Sequence, residues 1–333
     1  MLSIAQILLT LIPYTFEYQS KASQQFPVRL FMKIDSERSK GFGFRTLWDT
    51  VNPFHSKGPV IPVIRLTGSI GAAMPFQQGL TIAACADAIE RAFSIKNAPA
   101  VALQINSPGG SPVQSRLIYE RIRALATEKS RKVFAFTEDV AASGGYMLAC
   151  AADEIYADAS SLVGSIGVVS AGFGFADFIG KIGVERRVYT SGENKFQLDP
   201  FKPENPDEIS RLKKIQEIVH QDFIALVKDS RGSRLATAGD SLFTGEFWSG
   251  RQALELGLVD GIMDIRTKMR ALYGEDVRLK VIQSGRGFLK RKLGLGTGTV
   301  LAGADSGAGF SHDFAAGLIS ALEERALWAR FGL

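Results

Sequence analysis

Between Pro59 and Thr137 the chain switches repeatedly between two hydrophobic periods, and that switching limits the folds open to it. The run PVIPVIRLTG, from Pro59 to Gly68, is rich in β-branched residues and bounded by Pro and Gly, so it reads as a strand. The segment LTIAACADAIERAFS, over 80–94, carries apolar residues at helical spacing. PAVALQIN, over 99–106, is nearly continuously apolar, as a buried parallel strand must be. Residues 111–130 follow as an amphipathic helix, with Ser111 as its cap and Pro112 in its first turn. KVFAFT, over 132–137, is a third strand. A helix beginning near Ala142 comes next, then EIYAD and SIGVVS as short strands. A long helix is expected over 205–232 and a short one over 250–257. Strands alternating with helices predict an α/β domain of mostly parallel strands.

Composition agrees with a packed domain and narrows the chemistry. With 333 residues, 46% hydrophobic and 22% charged, the chain can bury a sizeable core, which excludes global disorder. A net charge of +5 is mild and scattered, its densest cluster being Lys290, Arg291 and Lys292. It permits contact with an anionic membrane surface, and nucleic acid is not expected as a partner. Two cysteines, Cys85 and Cys150, exclude a disulfide scaffold and a Cys-rich zinc site. No metal or cofactor is expected. Any mechanism needing a histidine has His55, His220 and His312 to choose from.

The ends of the chain read differently from its middle. Residues 1–16 carry no charged side chain, but the apolar stretch Leu2–Tyr14 contains Pro13 and is shorter than the roughly 20 residues of a spanning helix. It has neither a basic n-region nor a small-residue cleavage site. It reads as a membrane-surface or weak anchor segment, as a helix packed on the protein, or as sequence ahead of a later start at Met32. With the polar residues 17–58 it forms an N-terminal lead-in, 1–58, before the main domain, 59–275. The remainder, 276–333, holds eight glycines within 285–311, a flexible linker, and then an amphipathic helix candidate over 313–333. That helix would dock on the domain, on a neighbouring subunit or on a membrane surface.

Three short segments carry chemistry. INSPGGS (105–111) ends a strand, turns through glycines and starts a helix, which lets backbone N–H groups face a ligand as in an oxyanion hole. Ser143 precedes two glycines and an apolar helix, so its hydroxyl and its N–H would both be free at a helix N-terminus. Lys195 lies in the polar turn SGENKFQLDPF (191–201). Taken singly, these are an ordinary turn, a helix cap and a surface lysine. Taken together, a serine nucleophile can use a lysine as base if desolvation makes the amine neutral. No histidine competes: His55 is in the lead-in, His220 is mid-helix and His312 follows the glycine-rich stretch.

In order and spacing, INSPGGS, VAASGGYMLACAADEIYADASSLVGSIGV, Lys195 with Pro200-Phe201 downstream, and SGRQALELGLVDGI (249–262) resemble the signal peptide peptidase A (SppA) family of serine–lysine peptidases. The resemblance covers roughly residues 59–270. It implies a ClpP/crotonase-like α/β fold, a superhelix of ββα units, for the peptidase domain 59–275. It implies Ser143 as nucleophile, Lys195 as general base and Gly110 as an oxyanion donor, with the Ser143 or Gly144 N–H as the second. It also implies a homo-oligomeric ring in which one subunit's lysine serves another's serine. The substrates would be released signal peptides or other unfolded, apolar peptides, in a bacterium, at a membrane or in the cytoplasm. The family's clear N-terminal transmembrane segment is missing from the pattern here. Two rivals use the same fold: an acyl-CoA enzyme working through acids such as Glu138 and Asp139, and a ring-forming scaffold without catalysis. An esterase reading of Gly239–Leu242, GDSL, lacks the downstream Asp-x-x-His, because Gly309 stands three residues before His312.

Overall fold

A computed structural model of the chain describes residues 58–71, 79–235, 239–283, 325–326 and 328–332. The apolar segment 2–14, nearly all of the lead-in and the glycine-rich stretch 285–311 lie outside the described residues. In chain order the elements are β1 (Val60–Thr67), α1 (Ile82–Phe93), β2 (Ala100–Ser107), α2 (Pro112–Glu128), β3 (Lys132–Ala142) and α3 (Gly144–Ala149). They continue with β4 (Glu154–Ala157), β5 (Leu162–Gly164), α4 (Ala176–Lys181) and α5 (Pro206–Arg231). The last are β6 (Phe247–Ser249), α6 (Gly250–Glu255), β7 (Gly261–Ile262), α7 (Ile265–Tyr273) and β8 (Arg278–Val281).

Helices α1, α2, α5 and α6 start where their sequences supply caps. Thr81 accepts from the Ala84 N–H, Ser111 from Gln114 and Asn205 from Asp207, while Ser249 and Gln252 close a reciprocal capping box. Each such cap contributes about 1 kcal/mol. Pro112 and Pro206 stand in first turns, where a missing N–H costs nothing.

One sheet runs in the order β6-β5-β3-β2-β1-β8, with β4 on β3 and β7 on β4. Every pairing is parallel except β5 with β6. This is the mostly parallel α/β organisation that the alternating pattern calls for. Ile64, Leu66, Val101, Leu103 and Ile105 face a core with Ile89, Ile118, Ile122 and Leu148 of the helices. Ile61, Val63, Ala100, Ala102 and Phe134 face a second core closed by Met269 of α7. Burial on both faces explains why β2 reads as a continuous apolar run.

Two features of β3 set up its far end. Its register against β2 passes from Ile105↔Thr137 to Ser107↔Ala141, so β3 carries extra residues in a bulge. There Glu138 and Asp139 are exposed in succession and accept hydrogen bonds from Gln104 and Asn106. Beyond the bulge the outer edge of β3 changes partner from β4 to β5.

The strand expected over SIGVVS lies earlier, at Leu162–Gly164. Gly164 (φ 114°) and Ser165 (φ 51°) leave extended geometry, Ser165 donates to the Glu246 carbonyl, and Gly167 folds back on Ser165. The sheet also gains β8, whose exposed residues do not alternate and which pairs with β1 from Val60↔Arg278 onward. Trp328 and Phe331, from the expected C-terminal helix, pack against Val140, Ala142 and Leu162.

Between Ile166 and Phe223 the chain forms a lobe of its own, built from α4, the loop 182–205 and the first half of α5. In that span Asp199 is the only buried residue. Phe173, Phe178, Ile182, Val184 and Tyr189 are all exposed on it.

Candidate active site

The turn from β3 into α3 is the most constrained point of the backbone. Ser143 has φ 53° and ψ −123°, the first central position of a type II′ turn, which glycine fills at no steric cost. A serine there stores of order 1–3 kcal/mol of strain, which the surroundings must offset. Its N–H donates to the Gly164 carbonyl at 2.7 Å, and its own carbonyl accepts from Tyr146 and Met147. Ser143 occupies the cap position of α3, yet its hydroxyl makes no cap hydrogen bond. Among the described residues the hydroxyl has no hydrogen-bond partner, as a nucleophile requires. The N–H has one, which corrects the expectation that it is a free oxyanion donor.

The glycines that follow are required by close approach. A Cβ on Gly144 would lie 2.3 Å from Ser115 Oγ, and one on Gly145 2.4 Å from the Ser107 carbonyl oxygen. Only glycine lets α3 begin this near the 107–111 loop. That loop is fixed from its other side. Ser107 Oγ donates to the Gly68 carbonyl, Ile70 donates to Gly109, and Ser111 donates back to Ile70. A Cβ on Gly109 would lie 2.7 Å from Ser143 Cβ, so this turn of the loop abuts the serine. Gly110 (φ 141°) passes so close to Ile70 that a Cβ would lie 2.1 Å from its carbonyl oxygen. The N–H groups of Gly110 and Gly144 donate to no partner among the described residues. Unpaired donors beside an uncommitted hydroxyl can stabilise the charge that develops when a serine attacks a carbonyl.

Lys195 stands elsewhere. It lies exposed in the loop of the lobe, its N–H donating to the Gly192 carbonyl. Among the described residues no hydrogen bond joins Lys195 to Ser143. His220 is engaged structurally, its Nε2 3.1 Å from the Ile166 carbonyl oxygen. Two contributors escaped sequence reasoning. The carbonyl of Gly164 that holds Ser143 is 21 positions away, and Arg186, which holds the lysine loop, sits in a stretch with no recognisable motif.

Residues 126–276, which include Ser143 and Lys195, match the description "Peptidase family S49". A putative protease, slr0021, of Synechocystis sp. is 34% identical over 206 residues, covering 60% of this chain and 73% of its own. The chain belongs to peptidase family S49. A second relative, the chloroplastic serine protease SPPA of Arabidopsis thaliana, is 31% identical over 61% of this chain and 30% of its own. Another relative, named Na(+)/H(+) antiporter NhaA, from Brucella abortus (strain 2308), is 54% identical over 82% of this chain. The S49 chain spans 37% of that protein's length.

Proposed function

We propose that this S49 chain is a serine endopeptidase with a Ser–Lys dyad. Ser143 Oγ attacks the scissile carbonyl carbon while neutral Lys195 Nζ takes the hydroxyl proton. The Gly110 and Gly144 N–H groups hold the oxyanion of the tetrahedral intermediate. The lysinium then returns its proton to the leaving amine, and water, deprotonated by the same lysine, releases the acyl group from the serine. The single observation that carries this reading is a strained serine that abuts the Gly109 turn, with its hydroxyl and the Gly110 and Gly144 N–H groups unpaired among the described residues.

The base is drawn from a neighbouring subunit in a ring. Lys195 is exposed, unbonded to Ser143, and carried on a lobe with exposed Phe173, Phe178 and Tyr189. Docking that lobe on a second copy would cover these side chains and desolvate the amine, which favours its neutral form. Apolar or unfolded peptides, released signal peptides among them, are the proposed substrates. The test is cleavage of apolar fluorogenic peptides, together with labelling of Ser143 by a fluorophosphonate. Wild type turns over and labels; Ser143→Ala and Lys195→Arg do neither at more than a trace, since a guanidinium cannot accept the proton. Turnover by Ser143→Ala would overturn the assignment. CoA binding without labelling would favour the acyl-CoA rival.

A further inference from the structure

The lobe has almost no apolar core, yet the residues following Lys195 are held one by one. Arg186 Nε donates to Asp199 Oδ2 at 3.0 Å, and Asp199 Oδ1 accepts from the Phe201 N–H at 3.0 Å. The Arg186 guanidinium lies over the Phe201 ring at 4.7 Å and over the Phe196 ring at 5.4 Å. Arg211 binds Gln197, and the Glu208 carboxylate accepts from the Leu198 N–H. Phe175 stacks on Phe201 at 5.6 Å and donates its N–H to the Pro200 carbonyl. Arg186 alone touches three positions of the 196–201 segment: Phe196, Asp199 and Phe201. Its partner Asp199 has a side chain only 4% exposed. Burial alone would raise that carboxyl, but the Phe201 N–H and the Arg186 guanidinium outweigh it and keep it below its usual range.

We infer that Arg186 is a positioning residue for Lys195, clamping the 196–201 segment so that the lysine leaves the lobe at one fixed point. The inference rests on the Ser–Lys reading. The physical reason for arginine is its planar, delocalised guanidinium, which can donate to a carboxylate and lie over aromatic rings at the same time. A lysine at 186 keeps the charge and loses both geometries. Without the clamp, the one hydrogen bond that Lys195 itself makes among the described residues is from its N–H to the Gly192 carbonyl, and the amine must find its serine by search.

The experiment uses full-length chains in subunit mixing. Ser143→Ala chains donate the lysine and Lys195→Ala chains donate the serine, so a mixture of these inactive proteins recovers turnover of an apolar peptide. Placing Arg186→Met on the lysine-donating chain lowers the recovered kcat about tenfold or more, because small misplacements of a catalytic group are costly. The same substitution on the serine-donating chain changes it less than about twofold, and KM moves less than about twofold in either mixture. Arg186→Lys on the lysine-donating chain does not restore the rate. Equal effects on both chains would mean a general structural role and would overturn the inference. If the parent mixture recovers nothing although Lys195→Ala is inactive, the dyad acts within one chain. A tenfold fall in kcat for folded Arg186→Met alone then supports the inference, and unchanged kcat overturns it. Full turnover by Lys195→Ala would instead overturn the dyad reading.

Discussion

At residue scale the decisive position is Ser143, where the proposed nucleophile sits in a conformation made for glycine. Ser143→Gly removes the proposed nucleophile and the strain together. It is expected to lose labelling and turnover while gaining about 1 kcal/mol of stability, the strain relieved less the entropy cost of glycine. Thermal unfolding checks this; a lower melting temperature would show that the turn stores no strain. The backbone of the candidate site was legible in the sequence, because the glycines of INSPGGS and of SGG mark points where backbones meet. The commitment of the Ser143 N–H was not, because it depends on a carbonyl delivered by a different strand. The partnership of Lys195 was not decided by one chain, since its loop sits on an exposed lobe.

At the scale of elements, two charged clusters tie β4 into the fold. The Arg231 guanidinium, with no exposed side-chain surface, forks onto Asp260, whose carboxylate also accepts from the Ile155 N–H. Asp260→Asn leaves a buried guanidinium without its counter-charge and is expected to cost about 3–5 kcal/mol, read from denaturant unfolding. Glu154 meets Lys132, Lys268 and the Tyr156 hydroxyl. Burial would raise its carboxyl, but these three partners outweigh it and hold it at about 2, against an ordinary 4.5. A depressed folded value means that the contribution is complete above pH 4.5 and is lost as pH falls towards 2. Melting temperatures through that window should fall less steeply for Glu154→Gln than for wild type; equal slopes would refute the coupling. The long elements were readable because period-two and helical spacing had room to repeat, as in β1, α1, β2, α2 and α5. β5 and β7, of three and two residues, offer no period to read. Nor does β8, an edge strand with little buried surface. The bulge at Glu138–Asp139 emerges only when β3 meets β2.

At the scale of the whole molecule, the exposed apolar lobe is the surface on which the proposed assembly is to be tested. Phe178, 59% exposed on α4, is expected to be covered by a second copy. Phe178→Asp should lower the mass seen by light scattering towards the 36.1 kDa of one chain and lower turnover with it. A monomer that keeps full activity would contradict the shared site. The sheet itself imposes an order in time. Among the described residues the outer edge of β1 is closed by β8 alone, and the pair Val60↔Arg278 is separated by 278 − 60 = 218 residues. At about 5–20 residues per second of synthesis, that edge waits roughly 10–45 s for its partner. During the wait, Ile61 and Val63, side chains that end fully buried or nearly so, stand on a strand with open hydrogen-bonding groups. The nascent chain on the ribosome, rather than the finished peptidase, is therefore the form most open to pairing with the wrong strand.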